Sequence, residues 1–424
     1  MARSGAPIQP APAQPAPESG SGHALRTLRH RDFRLLWSGQ LISSIGDQMQ
    51  QVAIGWHIYL LTDSPLQLGL VGAVRSVPLI ALSLLGGPLA DTMDRRKLLW
   101  MTNAVQMFVT AALVVATISG QVTPVFIYII SFVQGAASAF DAPARQAMIP
   151  NMVPRAELSN AFTLNTLMRQ GSIIVGPSIG GLVVAGFGVA WTYGANAVSF
   201  LAVVIAVWLL RPVPKTTSAA GTLWERFTAG WDYARREPLV LLPLGLDAWR
   251  SILIGTQVFT VIFARDIFLA GPEGVGGLRT TIALGAVTGG FVLGTGRFAK
   301  RPVVPMVLGY MIEGLGLVGL ALSPTLVIAL FVMFFLGIGN VLAEVNRNTI
   351  VQLKTPDEVR GRVSALAQVA TFGGPLLGQL QAGALVGALG PITACACDGL
   401  AIAVGAVFFG LLHPLRRAAR EGID

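Results

Sequence analysis

Gly87-Pro88-Leu89-Ala90-Asp91-Thr92-Met93-Asp94-Arg95-Arg96-Lys97 is a short acidic-then-basic turn between two long apolar runs. Leu66 to Gly86 precedes it and Leu98 to Ile118 follows it, and each run is long enough to cross a bilayer as a helix. Glycine allows close helix approach, Asp91 is placed to accept hydrogen bonds from backbone donors at a helix start, and the basic cluster holds the turn on the cytoplasmic side. An ordinary cytoplasmic loop obeying the charge rule would read similarly, so the rest of the chain has to decide.

Outward from this turn, composition sets the class. Of 424 residues 53% are hydrophobic and only 12% charged, with a mean hydropathy of +0.65. A soluble domain carries about 25% charged residues, so the chain is read as an integral membrane protein. Apolar runs place spans at 36–61, 66–90, 98–118, 123–144, 158–185, 190–210, 240–264, 277–298, 303–322, 325–346, 362–387 and 391–412. The charges test that count. With the N-terminus inside, the inside connectors hold Arg26, Arg29, Arg31 and Arg34, then Arg95, Arg96 and Lys97, and later Arg211, Lys215, Arg235 and Arg236. The outside connectors near 62–65, 119–122, 186–189, 266–276, 323–324 and 388–390 contain no Lys or Arg; Arg265 and Arg279 only flank one of them. This asymmetry predicts a multi-pass protein of the cytoplasmic (inner) membrane with both termini cytoplasmic. It also accounts for the formal charge of +9 through anionic lipid headgroups, with no nucleic-acid partner required.

The spans divide into two halves. Residues 1–24, rich in Ala, Pro, Gln, Gly and Ser, read as a disordered cytoplasmic tail; 25–210 and 239–413 each hold six spans, and 414–424 form a second tail. The connector 211–238 contains Leu223, Phe227, Trp231 and Ala234 at helical spacing, which predicts an amphipathic helix on the inner membrane surface. An internal echo supports the halves: Arg145-Gln146-Ala147-Met148-Ile149 with Pro154 matches Arg347-Asn348-Thr349-Ile350-Val351 with Pro356. A helix with Gly176-Pro177 and Gly180 follows the first, and one with Gly374-Pro375 and Gly378 follows the second. Cys395 and Cys397, two apart in an apolar run, read as small apolar residues and not as a disulfide or metal site.

These motifs resemble those of the major facilitator superfamily. Its turn between the second and third helices is G-x-x-x-D-x-x-G-R-R/K; Gly87, Asp91, Arg95 and Arg96 match, while Asp94 stands in place of the second glycine. Gly176-Pro177-Ser178-Ile179-Gly180-Gly181 looks like its antiporter signature, G-P-x-x-G-G, associated with exporters driven by ion exchange. The exporter pattern R-x-x-Q-G-x-G-x-A in the fourth span is only partly met: Gln134 and Gly135 match, but Ser131 replaces the arginine, so the usual proton relay is missing. Phe33-Arg34, Trp37, Arg169 and Gly188-Val189-Ala190-Trp191-Thr192-Tyr193-Gly194 carry a nearer resemblance, to the group of enterobactin exporters and macrolide efflux proteins. The fold implied is all-α, twelve transmembrane helices in two pseudo-symmetric six-helix halves.

Polar residues inside the spans are the candidates for mechanism. Ser44, Asp47, Gln48 and Gln51 fall at i, i+3, i+4 and i+7, one polar face on the first helix. Asp47 lies about 16 Å in from Leu36 at ~1.5 Å per residue, near the middle of the bilayer, where a carboxylate is costly unless paired or functional. It is the expected proton-coupling residue, with Arg75 and Arg169 at comparable depth as partners; a static ion pair fixing helix register would use the same residues. Their positive surplus favours an anionic or catechol-like substrate. Gln51, Gln134, Asn196, Gln257 and Asn340 are candidate substrate contacts, though such residues also serve as interhelical glue. Gly87, Asp91, Arg95, Asp141 and Arg145 form an expected conformational latch at the inner face. Glu313 and Asp398 have no assigned role. Scattered histidines (His23, His30, His57, His413) and the absence of a nucleotide-binding loop argue against a metal, a cofactor and an enzyme. The expectation is a secondary exporter, a proton-coupled antiporter of a siderophore-like or other amphipathic small molecule acting as a monomer among membrane lipids. Multidrug or macrolide efflux is the alternative and a membrane-embedded enzyme a remote one.

Overall fold

A computed structural model describes residues 26–85, 94–211, 223–296 and 301–421, and these contain helices and no strands. Gly87 and Asp91 of the charged turn lie outside the described residues, as do 297–300 in the corresponding turn of the second half. The first group of long helices is α1 (Arg31–Thr62), α2 (Pro65–Leu85), α3 (Arg95–Ile118), α4 (Pro124–Met148), α5 (Leu158–Phe187) and α6 (Val189–Trp208). A short helix, α7 (Leu223–Ala234), leads to the second group: α8 (Pro238–Leu253) with α9 (Thr256–Ile262), α10 (Gly271–Gly294), α11 (Val303–Ala321), α12 (Leu326–Lys354), α13 (Asp357–Leu389) and α14 (Pro391–Leu411). A terminal helix, α15, covers His413–Glu421.

Ten segments among the described residues are long and apolar enough to cross a membrane, with α8 and α9 counted as one. α1 and α13 have the length but are not among these ten. α1 buries Gln40, Ser43, Gln50 and His57 inside the protein, and among the described residues of α13 Leu377–Leu389 is apolar. Polar side chains facing protein instead of lipid cost little in a spanning helix, so hydropathy alone underrates such a segment.

Helix ends follow local chemistry. Asp94 caps α3, its carboxylate accepting from the Arg96 and Lys97 amides at 2.8 and 3.3 Å. The residue that departs from the superfamily pattern thus does the capping expected of Asp91. Thr123 and Thr325 cap α4 and α12 in the same way. The α5–α6 and α13–α14 turns each pivot on a glycine at positive φ, Gly188 at 88° and Gly390 at 79°, where a side chain would be strained.

The same packing pattern occurs twice. In the first group α1 packs on α5 and α6, α2 on α4, and α3 on α4 and α6. In the second, α8 packs on α13 and α14, α10 on α12, and α11 on α12 and α14. The groups meet through two crossed contacts, α2 with α13 and α5 with α10, which exchange under a two-fold relation. α7 lies against α13, where Gly230 meets the Arg362 carbonyl, and the Tyr233 hydroxyl donates to the Lys354 carbonyl at 2.7 Å.

The second group holds two buried ion pairs. Arg250 grips Glu313 through both carboxylate oxygens, and Arg347 pairs with Asp247. Asn340 adds a donor to Glu313 at 3.2 Å and Tyr310 one to Asp247 at 3.1 Å, around a cavity of about 40 Å³ with room for water. Glu313 is fully buried, so it exists for Arg250. Glu313→Ala should cost about 3–5 kcal/mol by stranding the guanidinium, whereas Arg250→Met with Glu313→Leu should recover most of that loss. Thermal unfolding in detergent measures both, and equal loss in the double variant would mean that the charges themselves are required.

Candidate functional site

The connectors of the chain divide between a basic face, where Arg31, Arg95–Lys97 and Arg235 lie, and an opposite face poor in charge. The named contacts between the two helix groups sit toward the opposite face. At the end of α1, Asp63 adopts a left-handed conformation, φ 46°, and its carboxylate meets Arg265 Nη2 at 2.6 Å. Arg265 also donates to the Tyr59 carbonyl at 3.1 Å and lies 4.7 Å from the centre of the Tyr59 ring. The Tyr59 hydroxyl donates to Asp266. Arg265 and Asp266 belong to a π-helical turn, Phe263–Ile267, that follows α9. An extra residue in a helical turn re-aims side chains, and here it turns two charges toward α1.

Deeper, the antiporter-like motif makes the close approaches. A side chain at Gly176 would run into Gln48 Cβ, and one at Gly180 would meet Met49 Cα at 2.7 Å, both on α1. Gly181 faces the other group, with the Pro272 carbonyl at 2.6 Å from where a Cβ would sit, and the Pro177 carbonyl stands equally close to Gly276. Ser178 and Thr280 share a hydrogen bond of 2.6 Å across the same contact. The motif is therefore a hub where α1, α5 and α10 touch through backbone.

Beneath this closure lie two polar clusters. In the first, Asn196 Nδ2 on α6 donates to Gln50 Oε1 at 2.6 Å and to Asp47 Oδ1 at 3.3 Å. Asp47 has no ion pair within 4 Å among the described residues; Arg75 is the cation whose charge acts on it most. In the second, Gln51 joins the groups: its carbonyl accepts from Gln257 Nε2 at 3.5 Å and its Oε1 from Arg279 Nη2 at 3.4 Å. Gln257 stands just after a break in the span, Ile254-Gly255, where Gly255 presses against Ala382 of α13. Broken helices at membrane depth recur where transporters bind their cargo.

The other expected residues fall apart from these clusters. Arg169 is exposed and makes no ion pair with Asp47. Gln134 is buried and donates to Thr110 at 3.1 Å, a link between α4 and α3, and Asn340 is taken up by Glu313. Of the latch group, Asp141 accepts from Asn103 at 2.7 Å and lies 3.8 Å from Arg145 Nε, while Arg145 reaches Asn165 at 3.5 Å. Arg95 donates to the Ala147 carbonyl at 3.2 Å. Asp398 accepts from Gln381 at 2.9 Å, joining α14 to α13.

The family profile of the transmembrane secretion effectors, within the major facilitator superfamily, matches residues 22–422. The chain belongs to that family. It is 24% identical over 390 residues to an enterobactin exporter of Shigella boydii, covering 92% of this chain and 93% of the relative. An enterobactin exporter of Escherichia coli matches at 24% over 392 residues with the same coverage. Among solved structures, a bacterial homologue of the human lysosomal transporter Spinster, in its inward-facing conformation, superposes with a TM-score of 0.71 at 14% identity, over 96% of this chain and 98% of that one. The nucleoside transporter NupG gives a TM-score of 0.73 at 13% identity, over 89% and 98%. The chain is a multi-pass membrane transporter of a small molecule, and not an enzyme.

For this transporter the residues missed in the sequence are Arg265, Asp266 and Arg279. By their apolar runs the seventh and eighth spans leave both arginines flanking a loop, but α10 begins at Gly271 and carries Arg279 into its third turn. The available signal was Gly271-Pro272, an N-terminal proline that starts a helix earlier than the apolar run does. Arg265→Gln removes the ion pair, the bond to Tyr59 and the ring contact at once. Its loss of ~1 kcal/mol of closed-state interaction should raise labelling of Val261→Cys by an impermeant maleimide at the opposite face about fivefold. The comparison uses a background lacking Cys395 and Cys397; unchanged labelling would show that these contacts do not hold the face shut.

Proposed function

We propose that this transporter is a proton-coupled antiporter that exports a siderophore-like or other amphipathic small molecule across the cytoplasmic membrane. The observation that supports the reading is Asp47: a carboxylate on the polar face of a spanning helix, held by an amide donor and committed to no ion pair among the described residues. Such a group can gain and lose a proton without breaking a salt bridge, which a paired carboxylate such as Glu313 cannot. Arg75 supplies the charge that protonation would release. The names of the bacterial relatives support export and an enterobactin-like cargo. A multidrug or macrolide pump would call for an aromatic, apolar lining, and the amides of Gln51 and Gln257 favour a polar ligand instead.

Orientation follows from the charge rule: the basic face is cytoplasmic and both termini lie there. The state described, closed at the opposite face, is then one in which an exporter loads from the cytoplasm. The halves 25–210 and 239–413 rock about the α2–α13 and α5–α10 contacts to release the cargo. In the alternate state the basic face is latched through Gly87, Asp91, Arg95, Asp141 and Arg145. A single chain contains every part of this cycle.

Everted membrane vesicles energised with a proton gradient test the coupling. Uptake of enterobactin by the wild-type chain should collapse on adding an uncoupler. Asp47→Asn should lower gradient-driven uptake about tenfold or more while leaving exchange down a substrate gradient. Uncoupler-insensitive uptake, or full activity of Asp47→Asn, would remove the proton from the cycle.

A further inference from the structure

Arg279 is a cation at the contact between the two helix groups for which the described residues provide no carboxylate within 4 Å. Its single hydrogen bond, Nη2 to Gln51 Oε1, is long at 3.4 Å, and Nη1 is shut off from solvent with no acceptor. The nearby acids are engaged elsewhere. Asp266 takes the Tyr59 hydroxyl, Asp63 takes Arg265, and Asp47 takes Asn196. Glu273, on the same helix, is exposed nearly two turns toward the opposite face. Two other guanidiniums set among the helices of the second group, Arg250 and Arg347, each hold a carboxylate. An ionised group at membrane depth without a partner is expensive, and in transporters it marks the cargo path.

The surroundings suit an anion. A guanidinium presents its donors as a planar fork that matches a carboxylate through two parallel hydrogen bonds. Only one donor of the fork is used, and weakly. Gln51 accepts from Arg279 through Oε1, which leaves its own amide N–H groups beside the same spot. Gln257 donates to the Gln51 carbonyl at 3.5 Å, the limit of a hydrogen bond, so it can be redirected at small cost. Gln51 belongs to α1, Gln257 to α9 and Arg279 to α10, so a ligand held by all three bridges the two helix groups.

We infer that Arg279, with Gln51 and Gln257, is an anion-binding subsite that takes the carboxylate, or a like oxyanion, of the transported molecule. The inference rests on the export reading for its physiological cargo, but binding to the purified chain is independent of any gradient. Occupancy neutralises Arg279 and ties α1 to α9 and α10 just beneath the closure made by Asp63, Tyr59, Arg265 and Asp266. The subsite is thereby placed where cargo is sensed before the opposite face opens.

The test uses the full chain in detergent, with benzoate as anionic probe and benzamide as its neutral isostere, read by ligand-induced thermal stabilisation. The wild-type chain should be stabilised by benzoate in preference to benzamide. Arg279→Met, which keeps the length of the side chain, should weaken benzoate about ten- to a hundredfold and leave benzamide unchanged. Arg279→Lys keeps the charge without the fork and should fall between them, so the inference stays testable if Arg279→Met does not fold. Equal response of the wild type to both probes, or an undiminished preference for benzoate in either variant, would overturn the subsite. Such a result would leave coupling through Asp47 standing, since that is decided in vesicles; conversely, failure of proton coupling would leave an intact anion preference in detergent.

Discussion

Hydrocarbon offers no partner to a charge, and that constraint orders the polar interior of this transporter. Several ionised side chains within the spans are answered in one of a few ways. Arg250 with Glu313 and Arg347 with Asp247 answer one another inside a single helix group and hold α8 to α11 and α12. Arg265 answers Asp63 from across the two groups, at the edge of the membrane, where such a pair can open into water. Asp47 and Arg279 are answered by amides alone, through Asn196 and Gln51. The first kind ties helices within one group, and the second ties the two groups together.

Close backbone contact is the other half of the design. Gly176 and Gly180 bring α5 against α1, and Gly181 brings it against α10. Dispersion between backbones needs small residues, and in a bilayer it replaces the hydrophobic force that drives packing in water. One motif thus serves both the packing of the first group and its contact with the second. The irregular seventh span complements it. The break at Ile254-Gly255 and the π turn at Phe263–Ile267 bracket α9, and they free Gln257 at one end and aim Arg265 and Asp266 at the other.

Neighbourhood in the chain explains the capping of α3. A carboxylate directly before the first helical turn reaches the free amides, so Asp94 fills that role whatever the superfamily's usual glycine does there. Asp141 shows the opposite case. Its hydrogen bond to Asn103 could be inferred only once α3 and α4 lay side by side, whereas its loose contact with Arg145 lies one turn along α4 itself.

Several features were already settled by the amino-acid sequence. Apolar runs of membrane length, the one-sided basic connectors and the repeated Gly-Pro helices determined an all-α membrane protein of doubled architecture, because each depends on segments only a few turns long. Asp47, Gln51 and Gln257 stood out as polar groups in apolar surroundings for the same reason. Which of them meet was decided by the tertiary structure. Gln51 and Arg279 are separated by 228 residues, Tyr59 and Asp266 by 207, and Arg250 and Glu313 by 63. Contacts at those separations depend on the rotation and tilt of helices against their neighbours, and hydropathy measures neither. Arg169 shows the consequence: its depth in the sequence matched that of Asp47, but the face of α5 on which it falls turned it away.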